Sequence, residues 1–129
     1  MATGFVEGGP KLLLRIEGAA ILILALVAYS RTGKSWWLFA LLFLTPDLGM
    51  LAYLANARIG AACYNFVHTL TLPIALFCAG LLLHLSLALV LATIWFAHIG
   101  FDRMLGYGLK YASGFGDTHL GRIGRAAKI

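Results

Sequence analysis

The sequence predicts an all-α fold, an integral membrane bundle of four helices, and its composition and hydropathy pattern are the two reasons. Of the 129 residues, 61% are hydrophobic and only 12% are charged, whereas ordinary soluble domains are about a quarter charged. Four apolar runs are each long enough to cross the hydrocarbon layer of a bilayer. A chain of this length is expected to form one domain, so residues 1–129 are interpreted as a single transmembrane domain.

The positions of the spans follow from the apolar runs and from one long stretch without charge. Residues 59–101 contain no Asp, Glu, Lys or Arg. As one helix this stretch would measure about twice the thickness of the hydrocarbon layer, so it must turn once, most naturally between Gly80 and His84. The predicted spans are residues 12–30, 36–54, 59–79 and 83–101, and they are followed by a tail of residues 103–129.

The basic residues are distributed unevenly about these spans. With four spans both termini lie on one side, and that side carries every Lys and Arg except Arg31 and Lys34. The positive-inside rule therefore predicts that both termini are cytoplasmic. The net charge of +5 is then explained by a basic membrane edge that faces anionic membrane lipid. A nucleic-acid partner is not expected, because the sequence contains no aromatic–basic nucleic-acid-binding module.

This orientation has a direct test. A reporter that is active only in the periplasm should be silent when it is fused after Ile129, because an even number of spans returns the chain to the cytoplasm. Reporter activity in the periplasm would contradict the orientation and the number of spans together.

Ionisable side chains occur within the predicted spans despite their cost. A carboxylate at mid-bilayer costs about 2.5–3.5 kcal/mol on insertion scales, so it usually faces the bundle interior and has a partner. Counting at about 1.5 Å per residue places all the polar residues of interest in the cytoplasmic half of the bundle, with at least one from each span. These residues are Glu17, Asp47, Asn65, His68, His98 and Asp102.

The spacing of these residues also indicates shared helix faces. His98 and Asp102 are four residues apart and therefore lie on one face of the fourth span. Tyr64, Asn65 and His68 are related by spacings of three and four, which predicts a second polar stripe on the third span.

Two prolines interrupt the predicted helices. Pro46 stands immediately before Asp47 and removes a backbone hydrogen bond, which can kink the second span beside the carboxylate. Pro73 is expected to act in the same way on the third span. Freed backbone carbonyls beside a carboxylate are common at binding sites within membranes.

Several motifs resemble those of a known family. The motifs are Leu14-Arg15-Ile16-Glu17-Gly18, Thr45-Pro46-Asp47-Leu48-Gly49-Met50, Tyr64-Asn65-x-x-His68, the run of residues 95–103 with Gly106-Tyr107-Gly108-Leu109-Lys110-Tyr111 after it, and residues 114–121 of the tail. Together they resemble a bacterial family known only as the domain of unknown function numbered 4260. The resemblance implies a four-helix protein of the bacterial cytoplasmic (inner) membrane, without an established activity.

The polar side chains predict a metal site. Two imidazoles with two or three carboxylates suit a divalent zinc, iron or manganese ion, and helix bundles build such centres from inward-facing side chains. A carboxylate beside the metal would act as general base, which makes the protein a metal-dependent hydrolase of a hydrophobic small molecule. The expected ligands are Glu17, Asp47, His68, His98 and Asp102, with Glu17, Asp47 and Asp102 as the catalytic groups. The expected supporting residues are Tyr64, Asn65, Arg103, Asp117 and His119.

Two other interpretations of the same residues stay open. Chains of buried Asp, Glu and His also form proton or ion pathways, although four helices without an inverted repeat would need a homo-oligomer to transport on their own. Alternatively the residues only hold the helices together, for example through Glu17 with Arg15 or Arg103. Hydrogen bonds of this kind contribute about 0.6–2 kcal/mol each in membranes.

The glycine-rich tail allows two expectations for Asp117 and His119. Either the tail is a mobile surface turn, or it folds back over the cytoplasmic end of the bundle and adds one of these side chains to the site.

Overall fold

The computed structural model describes residues 4–123, and most of this part of the chain is helical. In chain order the elements are α1 (Gly8–Ser30), α2 (Trp36–Leu42), a 3₁₀-helix (Thr45–Leu54), α3 (Ala57–His68), α4 (Thr71–Leu82), α5 (Ser86–Leu105), β1 (Asp117–Thr118) and β2 (Gly121–Arg122). The two strands form a small antiparallel hairpin.

Four helical segments have the length and composition of membrane spans. They are Gly8–Ser30, Trp36–Leu54, Ala57–Leu82 and Ser86–Leu105. Large apolar side chains on all four point outward, among them Trp37 on α2 and Leu82 on α4. Such a surface is unfavourable in water but matches a lipid environment. The predicted all-α fold with four apolar helices is therefore confirmed, and the helices suggest a multi-pass membrane protein.

Two of the four segments are broken near the prolines, where the sequence predicted kinks. α2 ends at Leu42, and Pro46 lies in the first turn of the following 3₁₀-helix, where its missing N–H group leaves no hydrogen bond unmade. In the third segment α3 ends at His68, Thr69 is extended, and Pro73 lies near the start of α4. The third span is therefore two helices, which corrects the single helix predicted at residues 59–79.

The break after α3 frees backbone carbonyl groups, and α5 supplies partners for them. The Trp95 indole N–H donates to the Val67 carbonyl at 2.7 Å, and the Arg103 guanidinium donates to the His68 carbonyl at 3.1 Å. Carbonyl groups at a helix C-terminus need such partners when water cannot reach them. These bonds fix the end of α3 against α5.

α1 packs closely along α5 through glycines. A Cβ atom on Gly18 would lie 2.5 Å from the Cβ of Arg103, and one on Gly100 would lie 2.8 Å from the Gly18 carbonyl oxygen. Small residues allow this backbone approach in membrane bundles. α5 is the central helix, since nine of its residues are buried.

The chain after α5 folds back over the end of the bundle. Gly106 ends α5 in the left-handed conformation, with φ of 88°, a role that suits glycine because it has no Cβ. Residues 107–123, called the tail here, are tied together by a bridge between Lys110 and Thr118 and by the hairpin. The N-terminal segment joins them through the Val6 amide, which donates to the His119 carbonyl at 2.8 Å. Because α5 continues to Leu105, the tail begins later than the predicted residue 103.

Candidate metal centre

Four side chains from three elements converge at one point in the bundle. Asp47 comes from the 3₁₀-helix, His68 from the last turn of α3, and His98 and Asp102 from successive turns of α5. One ligand atom from each lies within 4.8 Å of all the others. These four residues are called the His/Asp cluster below.

The shortest distances in the cluster involve the Nε2 atoms of the two histidines. These atoms lie 3.1 Å from each other, and each lies 3.1 Å from Asp47 Oδ1. Asp102 Oδ2 is 3.4 Å from the His68 nitrogen and 3.3 Å from the His98 nitrogen. The spacing of four residues between His98 and Asp102 places both on the same face of α5, as predicted.

Three of the four residues of the His/Asp cluster are buried. The side chains of His68, His98 and Asp102 are 3%, 1% and 11% exposed, whereas 30% of the Asp47 side chain is exposed. Asp47 is therefore the ligand candidate nearest to the open side of the cluster.

A backbone hydrogen bond fixes the tautomer of His68. Its Nδ1 lies 2.9 Å from the Tyr64 carbonyl oxygen, which can only accept, so Nδ1 carries the hydrogen. In the neutral ring the Nε2 lone pair then points at two carboxylate oxygens and at His98. Lone pairs and carboxylates that face one another repel unless a cation or a proton lies between them. An imidazole oriented in this way by a carbonyl is the usual arrangement around protein-bound metals.

Five of the six separations within the cluster are close to those of a tetrahedral site. Nitrogen and oxygen ligands at about 2.0–2.2 Å from a tetrahedral ion are separated from each other by about 3.3–3.6 Å. The five separations measured from the histidine nitrogens lie between 3.1 and 3.4 Å. The sixth separation, between the carboxylate oxygens of Asp47 and Asp102, is within 4.8 Å. The set of two nitrogens and two oxygens suits zinc, iron or manganese.

Aromatic side chains hold the two imidazoles in place. The Tyr64 ring stacks on His68, with ring centroids 3.7 Å apart and an angle of 9° between the planes. The Tyr64 hydroxyl lies 3.5 Å from Asp102 Oδ2, and Phe43 packs edge-on against His98. These contacts restrict rotation of both rings, which preorganises the cluster.

A cavity of about 650 Å³ adjoins the cluster, and its wall includes Asp47, His98 and Asp102. This volume lies in the range of sites that bind small organic molecules. Most of the remaining wall is apolar, and it includes Leu44, Met50, Phe101, Phe115 and Ile123.

Lys110 of the tail lies on the same cavity wall and was not among the predicted site residues. It is 4% exposed, and its ammonium group donates to the Phe115 carbonyl at 2.8 Å and lies 4.6 Å from the centre of the Tyr64 ring. Burial lowers the pKa of Lys110 to about 8, although the nearby carboxylates oppose this shift. No sequence signal distinguishes it from the other basic residues that follow α5.

Asn65 holds Lys110 in this position. Its side-chain amide donates to the Lys110 carbonyl at 2.8 Å and accepts from the Lys110 N–H at 2.6 Å. These two bonds resemble the paired backbone hydrogen bonds between neighbouring strands. Asn65 therefore supports the site through the backbone of the tail and not through contact with the cluster. Its polar position beside Tyr64 and His68 was predicted, but its partner was not.

Glu17 is the predicted ligand that the structure does not bring to the cluster. It is exposed on α1, because α1 faces α5 through the buried stripe of Gly18, Ala25 and Tyr29. Glu17 lies about 100° around the helix from Gly18. Glu17 therefore lies outside the cluster, which corrects its prediction as a metal ligand and catalytic group.

Asp117 and His119 lie in the folded tail, outside the cluster. Asp117 is 3.3 Å from the Arg122 Nε and accepts from the Ser113 hydroxyl at 2.7 Å. His119 Nδ1 accepts from the Leu109 N–H at 2.9 Å, and burial together with the Arg103 charge lowers its pKa. The tail does fold back over the bundle, but these two side chains stabilise the tail itself.

The folded tail has a measurable consequence. Trypsin should cut slowly after Lys110 and Arg122 in the intact protein, whereas Asn65→Ala should speed cleavage after Lys110 roughly thirtyfold, because it removes two hydrogen bonds of about 1 kcal/mol each. Asn56→Ala is the matched control, since it also loses a side-chain bond on α3, at 2.8 Å to the Ile59 N–H, but does not touch the tail. Equal cleavage of both variants would contradict the role of Asn65. We also expect trypsin to trim residues 125–129, which lie outside the described residues.

Comparison with known proteins identifies the family. The family described as a domain of unknown function, DUF4260, matches residues 11–123. No curated protein and no solved structure shows a significant match. The match covers most of the chain and includes all four residues of the His/Asp cluster, so this protein belongs to the DUF4260 family.

Proposed function

We propose that this protein is a metal-dependent membrane hydrolase, and that Asp47, His68, His98 and Asp102 bind its divalent ion. The observation that carries the proposal is the convergence of four ligand atoms within 4.8 Å around a histidine lone pair whose direction a backbone carbonyl fixes. Both termini are proposed to be cytoplasmic, which would place the site in the inner half of the membrane.

The carboxylates of Asp47 and Asp102 differ in exposure, and we assign them different roles on this basis. A divalent ion held by these four side chains would need a further, open coordination position, as catalytic sites keep, and there it would polarise the scissile group and lower the pKa of a water molecule. Asp47, the more exposed carboxylate, would take the proton of the attacking water through its second oxygen. Asp102, held on α5 against His98, would remain a ligand. The water oxygen would bond to an acyl or phosphoryl centre in the cavity, and the bond to the leaving oxygen would break as that oxygen takes up a proton.

One distance favours a proton pathway as a second candidate. The Nε2 atoms of His68 and His98 lie 3.1 Å apart, so a proton shared between them would also relieve the repulsion within the cluster. A pathway of this kind would require no metal. Along this pathway the proton would also pass to the Asp47 carboxylate, 3.1 Å from both nitrogens, so a protonated-acid infrared band near neutral pH should be present and should disappear in Asp47→Asn.

The metal content of the purified protein tests the proposal. After preparation in detergent with metal present and without chelators, elemental analysis should find about one equivalent of zinc, iron or manganese per chain. A folded, monodisperse protein that contains no metal after this treatment would overturn the proposed enzyme, and the proton pathway would then be tested by the infrared band.

A further inference from the structure

We infer that Lys110 binds the acidic head group of an amphiphilic substrate whose apolar part occupies the rest of the cavity. This inference rests on the proposed function for the role of the metal, and it names the substrate class of that site.

The surroundings of Lys110 provide the first argument. Its ammonium group has three N–H donors, and the Phe115 carbonyl accepts from it at 2.8 Å. Among residues 4–123, no carboxylate oxygen lies within 4.0 Å of the ammonium nitrogen. The ammonium group also lies over the rings of Phe115 and Tyr64, at 3.7 and 4.6 Å from their centres, but a buried cation without a close counter-charge remains costly. Because Lys110 lines the cavity beside Asp102, an anion in the cavity can supply that counter-charge.

The charge balance of the site provides the second argument. Asp47 and Asp102 together carry two negative charges, and a divalent ion bound between them would neutralise both. The end of α5 would then be positively charged, because it keeps the charges of Arg103 and Lys110. The Arg103 guanidinium group is held at the His68 carbonyl. Binding of the metal should therefore strengthen binding of an anion, and binding of the anion should strengthen binding of the metal.

The shape and lining of the cavity indicate what carries the anionic group. Leu44 forms part of the wall and is 62% exposed, and it lies within the apolar segment Trp36–Leu54. Phe115 is also exposed and forms part of the wall on the tail side. The cavity therefore has an apolar rim on a membrane-spanning segment and a buried ammonium group at the tail. An acid dissolved in the membrane matches both ends, with its chain along Leu44 and its head group at Lys110.

The test is the relative affinity for acidic and neutral amphiphiles of similar size. Oleate, oleyl phosphate and oleyl alcohol, which share one hydrocarbon chain, are titrated separately into zinc-loaded protein in a neutral detergent, and binding is followed by native mass spectrometry. The wild type should bind oleate or oleyl phosphate roughly ten- to a hundredfold more tightly than oleyl alcohol, the range expected for one hydrogen bond to a charged group. A preference for oleate identifies a carboxylate head group, and a preference for oleyl phosphate identifies a phosphate.

Three variants separate the role of Lys110 from general attraction to a basic surface. Lys110→Met should lose the preference for acids, and Lys110→Arg should retain most of it because the positive charge remains. Lys11→Met, which removes a basic residue from the same end of the bundle without altering the cavity wall, should bind like the wild type. Equal binding of acids and alcohol by the wild type would overturn the inference, and so would an acid preference that survives in Lys110→Met.

Metal content measured on the same samples separates this inference from the proposed function. A wild type that contains no metal overturns the metal-dependent hydrolase, whatever its ligand preference. A wild type and a Lys110→Met variant that both retain metal and bind acids equally overturn only the substrate class.

Discussion

Replacing His68 or His98 with alanine is expected to lower the metal affinity of the protein by more than the 10–100-fold that loss of a residue supporting a ligand often costs. Each substitution removes an imidazole ring whose Nε2 atom lies 3.1 Å from Asp47 Oδ1. Both variants should therefore purify with little metal, as measured by elemental analysis. His84→Ala is the matched control, because His84 is exposed in the turn between α4 and α5, and it should keep the metal.

Substitution of carboxylate residues provides a second test of metal content. Asp47→Asn nearly preserves the side-chain volume but replaces a carboxylate with an amide, which is a weaker ligand, so this variant should also lose metal. Glu17→Gln makes the corresponding change on the exposed face of α1 and should retain it. If the polar residues only hold the helices together, the wild type contains no stoichiometric metal and the variants instead lose stability, by about 0.6–2 kcal/mol per hydrogen bond. Loss of metal from Glu17→Gln alone would contradict the cluster described above.

The depth of the polar residues could be predicted from the sequence, because apolar spans leave few places for a carboxylate or an imidazole. That argument identified Asp47, His68, His98 and Asp102. It could not exclude Glu17, since depth fixes the height of a residue along a helix but not the direction in which it points. The direction of α1 is set by Gly18, whose missing Cβ allows contact with Arg103, and such a contact is visible only in three dimensions.

The tail shows where sequence patterns stop being informative. Its residues have neither the helical period of a span nor the alternation of a long strand, so the sequence left open whether it was mobile or folded. The structure orders it through particular hydrogen bonds, such as those from Asn65 to the Lys110 backbone. Lys110 reaches the cavity only because the chain folds back. A basic residue just after a span otherwise indicates no more than a membrane boundary.

Replacing Gly18 or Gly100 with alanine is expected to destabilise the protein by about 1–3 kcal/mol, the usual cost of overpacking. A Cβ atom on Gly100 would lie 2.7 Å from the Leu22 backbone nitrogen, and one on Gly18 would lie 2.6 Å from the Met104 backbone nitrogen. Backbone atoms cannot move aside as the end of a flexible side chain can, so α1 and α5 would have to separate. Thermal unfolding in detergent should detect the loss as a lower midpoint temperature.

Gly9→Ala provides the matched control for these variants, because Gly9 also lies in α1 but its added Cβ would meet nothing within 4 Å. Its midpoint should equal or exceed that of the wild type, since alanine favours a helix by about 1 kcal/mol over glycine. None of the four cluster residues lies on α1, so folded Gly18→Ala protein should still bind metal. Gly18→Ala would then lose stability and keep metal, whereas His98→Ala loses the metal itself. A Gly100→Ala protein as stable as Gly9→Ala would show that α1 and α5 do not approach as closely as described.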